Sequence, residues 1–276
     1  MAGVTSSTSC WRLGWYRVLL SDRKSWILTK KIGRVVVTEQ PLTIAIDGPA
    51  ASGKSTVGYK LANDLKFLYF DTGAMYRAIT YLALDQGIAP TDGAALGALA
   101  ERTLIEIEPP IREETDGRQY TVRVGAQDIT WDIRHHLVDI NVSAVAAHPA
   151  VRTALREQQR RIGLRGRCVM VGRDIGTAVL PEAPLKIYLD AAIEERARRR
   201  HDEALQRGQS GDYQMLLEAM KARDHYDSSR AEDPLRAAKD AHILNSDALS
   251  VDEVVGEILA LAKKEMGLNR ASCSSR

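Results

Sequence analysis

The run Gly48-Pro49-Ala50-Ala51-Ser52-Gly53-Lys54-Ser55 has the residue types and spacing to hold a phosphate group. Glycines at its first and sixth places let successive backbone N–H groups converge on one anion. Lys54 can neutralise charge on a β- or γ-phosphate, and the Ser55 hydroxyl can ligate Mg²⁺. The helix that begins at Ser55 and Thr56 adds the positive end of its dipole. At average residue usage this pattern arises by chance about once per hundred chains of this length.

The motif alone leaves the reaction open. A guanine nucleotide switch also needs an N-K-x-D segment, and none of Asn63, Asn141, Asn245 and Asn269 begins one. A mechanical ATPase commonly has an apolar strand ending in Asp-Glu, whereas Asp190-Ala191 is a weak counterpart. Three other segments set arginine beside aspartate and small residues. These are Asp71-Thr72-Gly73-Ala74-Met75-Tyr76-Arg77, Gly172-Arg173-Asp174-Ile175-Gly176-Thr177, and the set Arg223, Asp227 and Arg230. A planar guanidinium grips phosphate through two parallel bonds, so such segments suit a second anion.

These residues need rigid elements to position them. Leu42–Ile46 is a short apolar run between Pro41 and Gly48 and reads as a buried strand. Ser55–Lys66 predicts a helix, Phe67–Phe70 a strand, and Tyr76–Asp85 a helix that stops near Gly87 and Pro90. Leu104–Ile107 and Tyr120–Val124 alternate apolar and polar around the turn signal Asp116-Gly117, so a small antiparallel sheet is expected there. A helical pattern runs from His135 to Arg161. Cys168–Val171, Leu185–Leu189 and Ala241–Leu244 read as further strands, with helices over 191–207, 213–225 and 251–264. Strands alternating with helices predict an α/β fold with a parallel sheet.

The loop at Gly48 and the D-T-G-A-M-Y-R and G-R-D-I-G-T segments, in this order and followed by Arg223, Asp227 and Arg230, resemble the bacterial-type cytidylate kinase family. The resemblance runs from about Leu42 to about Gly267. It implies a P-loop kinase core over 41–267 that carries an NMP-binding insert at about 78–145, holding the small antiparallel sheet, and a short helical lid at about 194–212. The implied reaction moves the γ-phosphate of ATP to CMP or dCMP, with Mg²⁺ as cofactor.

By the same resemblance, Gly48 to Thr56 together with Arg196 and Arg200 bind ATP, and Ser55 meets the metal. Arg77, Arg173 and Arg230 contact the CMP phosphate. With Lys54 and Arg200 they form the expected catalytic set. Asp174 and Arg152, assisted by Ser143, read the base. Asp227, beside Arg223, binds the sugar, and Thr72 and Tyr76 line the pocket. A carboxylate suits the cytosine amino group and a guanidinium suits N3 and O2, so preference for cytosine over uracil is expected.

Arg196, Arg199 and Arg200 share a helix face, which could close on ATP phosphates or stay solvated and paired with Glu195. Gly208, Ser210 and Gly211 offer flexible positions for lid motion. Val171 stands where the family commonly has an acidic residue, and Asp47 or Asp174 is expected to compensate through water. Kinases of the same core acting on AMP, UMP or shikimate, and an ATP-dependent switch without transfer, are the competing readings.

The net charge of +2 argues against bulk binding to nucleic acid or membrane. No apolar stretch approaches the roughly 18 residues that span a bilayer. Cys10, Cys168 and Cys273 have no metal-ligand spacing, which fits a reducing cytoplasm. Residues 1–40 are basic and Ser-rich at their start. They read as an unstructured or mis-annotated extension, with a transit peptide as the alternative. Residues 268–276 read as a tail, and a monomer is expected.

Overall fold

The apolar run before the phosphate-cradling loop becomes β1, Thr43–Asp47, buried at every position. A strand covered on both faces has no polar side to present, so it reads as a continuous run. The structure, a computed structural model, describes residues 42–268 except 112, 113, 207, 209–211 and 231. The expected extension over 1–40 lies outside the described residues, as do Ser210, Gly211 and the tail beyond Leu268.

After the loop come α1 (Lys54–Leu65), β2 (Leu68–Asp71), α2 (Gly73–Asp85), α3 (Gly93–Arg102), β3 (Ile105–Glu108), β4 (Thr121–Val124) and β5 (Gln127–Asp128). A 3₁₀ turn at Asp132–Arg134 leads to α4 (His136–Ala147), α5 (Pro149–Gly163) and β6 (Cys168–Val171). A π-helical turn at Ile175–Val179 precedes β7 (Leu185–Asp190), α6 (Ile193–Gln206), α7 (Tyr213–Ser229), β8 (His242–Asn245) and α8 (Val251–Met266).

The larger sheet is parallel, in the order β2-β6-β1-β7-β8. Ile46 sits between Val171 on β6 and Ile187 on β7. The chain passes from β1 to the sheet edge at β2, returns to fill the gap with β6, then crosses to β7. In such sheets the crevice at the carboxyl ends beside this switch point is where ligands sit. The loop from Gly48, Asp71 at the end of β2, and Gly172-Arg173-Asp174 after β6 all emerge there.

The second sheet is antiparallel, β3-β4-β5. Ile105 and Ile107 point inward and Glu106 and Glu108 outward, as the alternation predicts. This sheet shares the main hydrophobic core: Leu96, Ile105, Ile129 and Ile133 belong to one cluster with Ile44 and Met170. The Tyr69 and Tyr120 rings, 5.8 Å apart, join β2 to the residue before β4. Arg118 ties the sheet's ends through Asp116 and Asp128, each at 2.6 Å.

Two helical expectations needed correcting. The pattern from 135 to 161 is two helices, because His148 is extended (φ −70, ψ 121) and Pro149 opens α5. Proline disfavours helical backbone in the residue before it, yet suits a first helical turn, so the apolar periodicity continued across a real break. Helix α3 was not expected. It is rich in small residues because it lies close on α5: a side chain at Gly97 would come within 2.6 Å of the Ala150 Cβ. Asp92 caps it by accepting the Ala95 N–H at 3.0 Å.

Two features at the end of β1 set the loop. Gly48 has φ +149, and a Cβ there would lie 2.1 Å from the Leu189 carbonyl oxygen on β7. Asp47 is buried, and its two carboxylate oxygens accept the N–H groups of Ile175 and Gly176, each at 2.7 Å. This clamp fastens β1 to the π-helical turn after Arg173 and Asp174. Burial pushes Asp47 up from 3.8 to about 7 against those two bonds.

Gly48→Ala forces a Cβ into backbone, so stability falls by about 1–3 kcal/mol, read from the urea midpoint. For Asp47 the folded pKa exceeds the unfolded one, so the folded state holds the proton longer. Its contribution to stability is fullest below the unfolded value of 3.8 and declines as pH rises through about 7. Asp47→Asn turns a donor toward one N–H, costs about 1–3 kcal/mol, and flattens that slope in urea titrations at either end of the window.

Candidate active site

The carboxyl ends of β1, β2 and β6, together with α2, α4, α6 and α7, enclose a cleft of about 630 Å³. The loop forms its floor. Left-handed backbone at Ala51 (φ 59) and Gly53 (φ 92) gives this loop its curl. Lys54 is buried, and its ammonium group donates to the Pro49 carbonyl and, at 3.3 Å, to the Ser52 hydroxyl. Burial, and then repulsion from Arg173, drive its pKa well below the ordinary lysine value, while Asp71 and Asp47 oppose them. Ser55 and Thr56 stand exposed at the head of α1 and line the cleft, as do Ala50, Ala51 and Gly53. Gly48, Pro49 and Ser52 lie behind that surface and shape it.

Opposite the loop, Arg77, Arg173, Arg200, Arg223 and Arg230 all reach the cleft. Arg223, on α7, has an Nε without a hydrogen-bond partner among the described residues. Its pKa is lowered by burial first and then by Arg173, with Arg77 and Arg200 adding to the effect and Asp227 opposing it. Asp227, one turn further along α7, organises its neighbours. It accepts from Arg173 Nε at 2.9 Å, and its carboxylate lies 3.5 Å from Arg230 Nη2. Arg173 also donates to the Gly48 carbonyl at 3.3 Å, which links the β6 segment to the loop. Arg77, from α2, pairs with Asp139 on α4 at 2.5 Å.

At the other end of the cleft, Arg152 of α5 is 3 % exposed and Asp174 is 5 % exposed, and the two are bonded directly. Burial raises the Asp174 pKa, with Arg152 opposing. Ser143 of α4 and Tyr76 of α2 line the same end, with the Tyr76 ring centre 5.9 Å from the Arg152 guanidinium carbon. Burial pushes the Tyr76 hydroxyl up to about 12, so it stays protonated and can donate. Thr72 is buried beneath, its hydroxyl donating to the Val171 carbonyl at 2.9 Å.

The arginines of α6 separate by depth. Arg199 and Arg200 line the cleft. Arg200 pairs with Glu203 at 3.0 Å, and Arg199 reaches Glu195 at 2.8 Å and the Ser246 hydroxyl at 3.0 Å. Arg196, expected on the ATP side, is buried and does not line the cleft. It donates to the Ala191 carbonyl at 2.9 Å and the Ala50 carbonyl at 3.1 Å, and it pairs with Asp224 at 2.6 Å. Its guanidinium braces the loop from behind.

The structure also brings in residues that carried no assigned role. Asp233 binds Arg156 and, at 3.3 Å, Arg152. It lies 81 positions from Arg152 in left-handed backbone (φ 48) before Pro234, so no periodicity could have signalled it. Asp71 lines the cleft although it stood in the sequence only as the first letter of a motif. Asp47 and Asp174, expected to compensate for Val171, are committed elsewhere. Asp47 gives both oxygens to backbone N–H groups, and Asp174 is bonded to Arg152.

Comparison with known proteins agrees with this geometry in its extent. The cytidylate kinase family model matches residues 44–264. The cytidylate kinase of Roseiflexus castenholzii is 52% identical over 220 residues, covering 80% of this chain and 93% of that protein. That of Herpetosiphon aurantiacus is 51% identical over 221 residues, 80% of this chain and 94% of its own length. The enzyme of Listeria monocytogenes is 48% identical over 222 residues, 80% and 96% of the two chains. A match running from β1 into α8, across the loop and every segment that builds the cleft, makes this chain a member of the cytidylate kinase family.

Proposed function

We propose that the protein transfers the γ-phosphate of ATP to CMP or dCMP, yielding ADP and CDP or dCDP. The observation that carries this reading is the convergence of five cations on one cleft, each only partly countered by a carboxylate or carbonyl. Arg223, with its unpartnered Nε, stands among Arg77, Arg173 and Arg200, and buried Lys54 lies on the loop across the cleft. Such an arrangement is costly when empty and is relieved by polyanions.

An oxygen of the CMP phosphate attacks the γ-phosphorus as the bond to the β–γ bridging oxygen breaks, and that electron pair leaves on ADP. The nucleophile is already anionic, so no general base is required. The protein's work is alignment and charge stabilisation. The loop N–H groups and Lys54 hold the ATP phosphates. Arg77, Arg173 and Arg230 hold the acceptor phosphate, and Arg200 reaches the transferring group. Asp227, beside Arg223, accepts from the ribose hydroxyls. Arg196 keeps the loop in shape.

The residues at the head of α1 suit a magnesium ion, because the exposed Ser55 hydroxyl opens onto the same cleft as Lys54. When bound with ATP, Mg²⁺ neutralises charge shared by the β- and γ-phosphates. Cytosine offers its N4 amino group to Asp174 and its N3 and O2 to Arg152, with Ser143 alongside. Uracil would set an oxygen against the Asp174 carboxylate. The segment 78–145 acts as the acceptor-binding insert, and the segment 194–212 as the lid. Among the described residues, no helix is long and apolar enough to cross a membrane. A monomer working in the cytoplasm fits this reading.

The test is ADP formation with CMP, dCMP, UMP, AMP or GMP as acceptor. CMP and dCMP turn over fast and UMP slowly. Equal rates with CMP and UMP remove the base reading, and no acceptor dependence removes the kinase reading. Asp174→Asn presents an amide donor to uracil O4. It lowers kcat/KM for CMP by about 100-fold and narrows the gap to UMP, in the same assay. Asp233→Ala takes one of two carboxylates from Arg152. It raises the KM for CMP by about tenfold and leaves kcat within about twofold, read from initial rates.

A further inference from the structure

The carboxylates that line the cleft are Asp71, Asp174, Glu203 and Asp227. Asp174 is bonded to Arg152, Asp227 to Arg173, and Glu203 pairs with Arg200. Asp71 differs from them, since no cation pairs with it among the described residues. Its Oδ1 accepts the Gly73 N–H at 2.9 Å, which fixes the side chain at the start of α2. The second oxygen remains available to the cleft.

Position matters as much as availability. Asp71 ends β2 in register with Val171, the last residue of β6. Val171 offers no charge, and its side chain packs toward α1, 2.6 Å from where a Cβ of Gly58 would sit. The carboxylate is therefore displaced by one strand from the position beside β1. Asp71 and Ser55 both line the cleft.

Resting on the phosphotransferase reading, we infer that Asp71 holds the divalent cation through its water shell, doing from β2 what Val171 cannot do from β6. Mg²⁺ keeps several waters and takes one or two carboxylates alongside substrate phosphates, so one outer carboxylate facing a serine hydroxyl suits it. No cluster of three His, Cys, Asp or Glu side chains exists among the described residues, in keeping with an ion that arrives with nucleotide. Charge in the cleft agrees. Lys54, Arg173 and Arg223 would repel a bare cation, and Asp71 is the one lining carboxylate among the described residues that they leave unpaired.

Asp71→Asn tests this, because the amide oxygen keeps the Gly73 bond and the shape while removing the charge. Binding of Mn²⁺ in the presence of adenosine 5′-(β,γ-imido)triphosphate is read from the paramagnetic resonance of free Mn²⁺. ADP binding in chelator, without metal, is read by calorimetry. The expected result is Mn²⁺ affinity lowered by about 10-fold or more, with metal-free ADP affinity within about twofold. Mn²⁺ affinity within about twofold of the parent protein overturns the inference. So does an equal fall in metal-free ADP affinity, which would make Asp71 a scaffold residue. A parent protein that binds Mn²⁺ with nucleotide through Asp71 but makes no CDP keeps the inference and removes the acceptor assignment.

Discussion

Like charges held close together, and only partly countered, govern this structure. Lys54, Arg77, Arg173, Arg200 and Arg223 converge on one cleft, and burial first, then repulsion from Arg173, depresses the basicity of Lys54 and Arg223. Left alone, such side chains would swing into water. They stay because their backbones belong to separate rigid elements, α1, α2, α6 and α7 and the segment after β6, and because each is partly restrained. Asp139 holds Arg77, Asp227 holds Arg173, Glu203 holds Arg200, and the loop carbonyl of Pro49 holds Lys54. The restraints neutralise only in part, so the binding power for phosphate is preserved.

That restraint depends on backbone fastening around the loop. The Asp47 clamp joins β1 to the turn that carries Arg173 and Asp174. Arg173 returns to the Gly48 carbonyl, Arg196 supports the Ala50 carbonyl, and the Ser246 hydroxyl donates to the Ser52 carbonyl at 3.1 Å. Each of these bonds fixes a loop carbonyl and so fixes the loop's curl.

The carboxylates divide the labour. Asp227 spaces two arginines, Asp174 meets Arg152 at the other end of the cleft with Asp233 behind it, and Asp47 is withdrawn into the fold. Asp174 and Arg152 satisfy each other in the absence of a base, so neither is left as an unpaired buried charge, the situation that costs most. That pairing occupies Asp174, and the N–H groups of Ile175 and Gly176 occupy Asp47, so neither is free to stand in for an acid at Val171.

The phosphate loop, the parallel strands and the alternating sheet were legible in the sequence, because each depends on neighbours a few residues away. Glycine spacing, apolar runs and period-two alternation record local backbone geometry and one-sided burial. So were the residues that line the cleft within contiguous motifs, Thr72, Tyr76, Arg77, Arg173 and Asp174 among them. The break at His148 and helix α3 were hidden, because a proline-led helix preserves periodicity and small residues register only a close neighbour. Tertiary structure alone decided that Arg196 turns behind the loop while Arg200, four residues on, faces the cleft. It also paired Asp233 with Arg152 and left Asp71 without a cation. Such facts depend on which distant group claims a charge first, and only the packed chain brings those groups within reach.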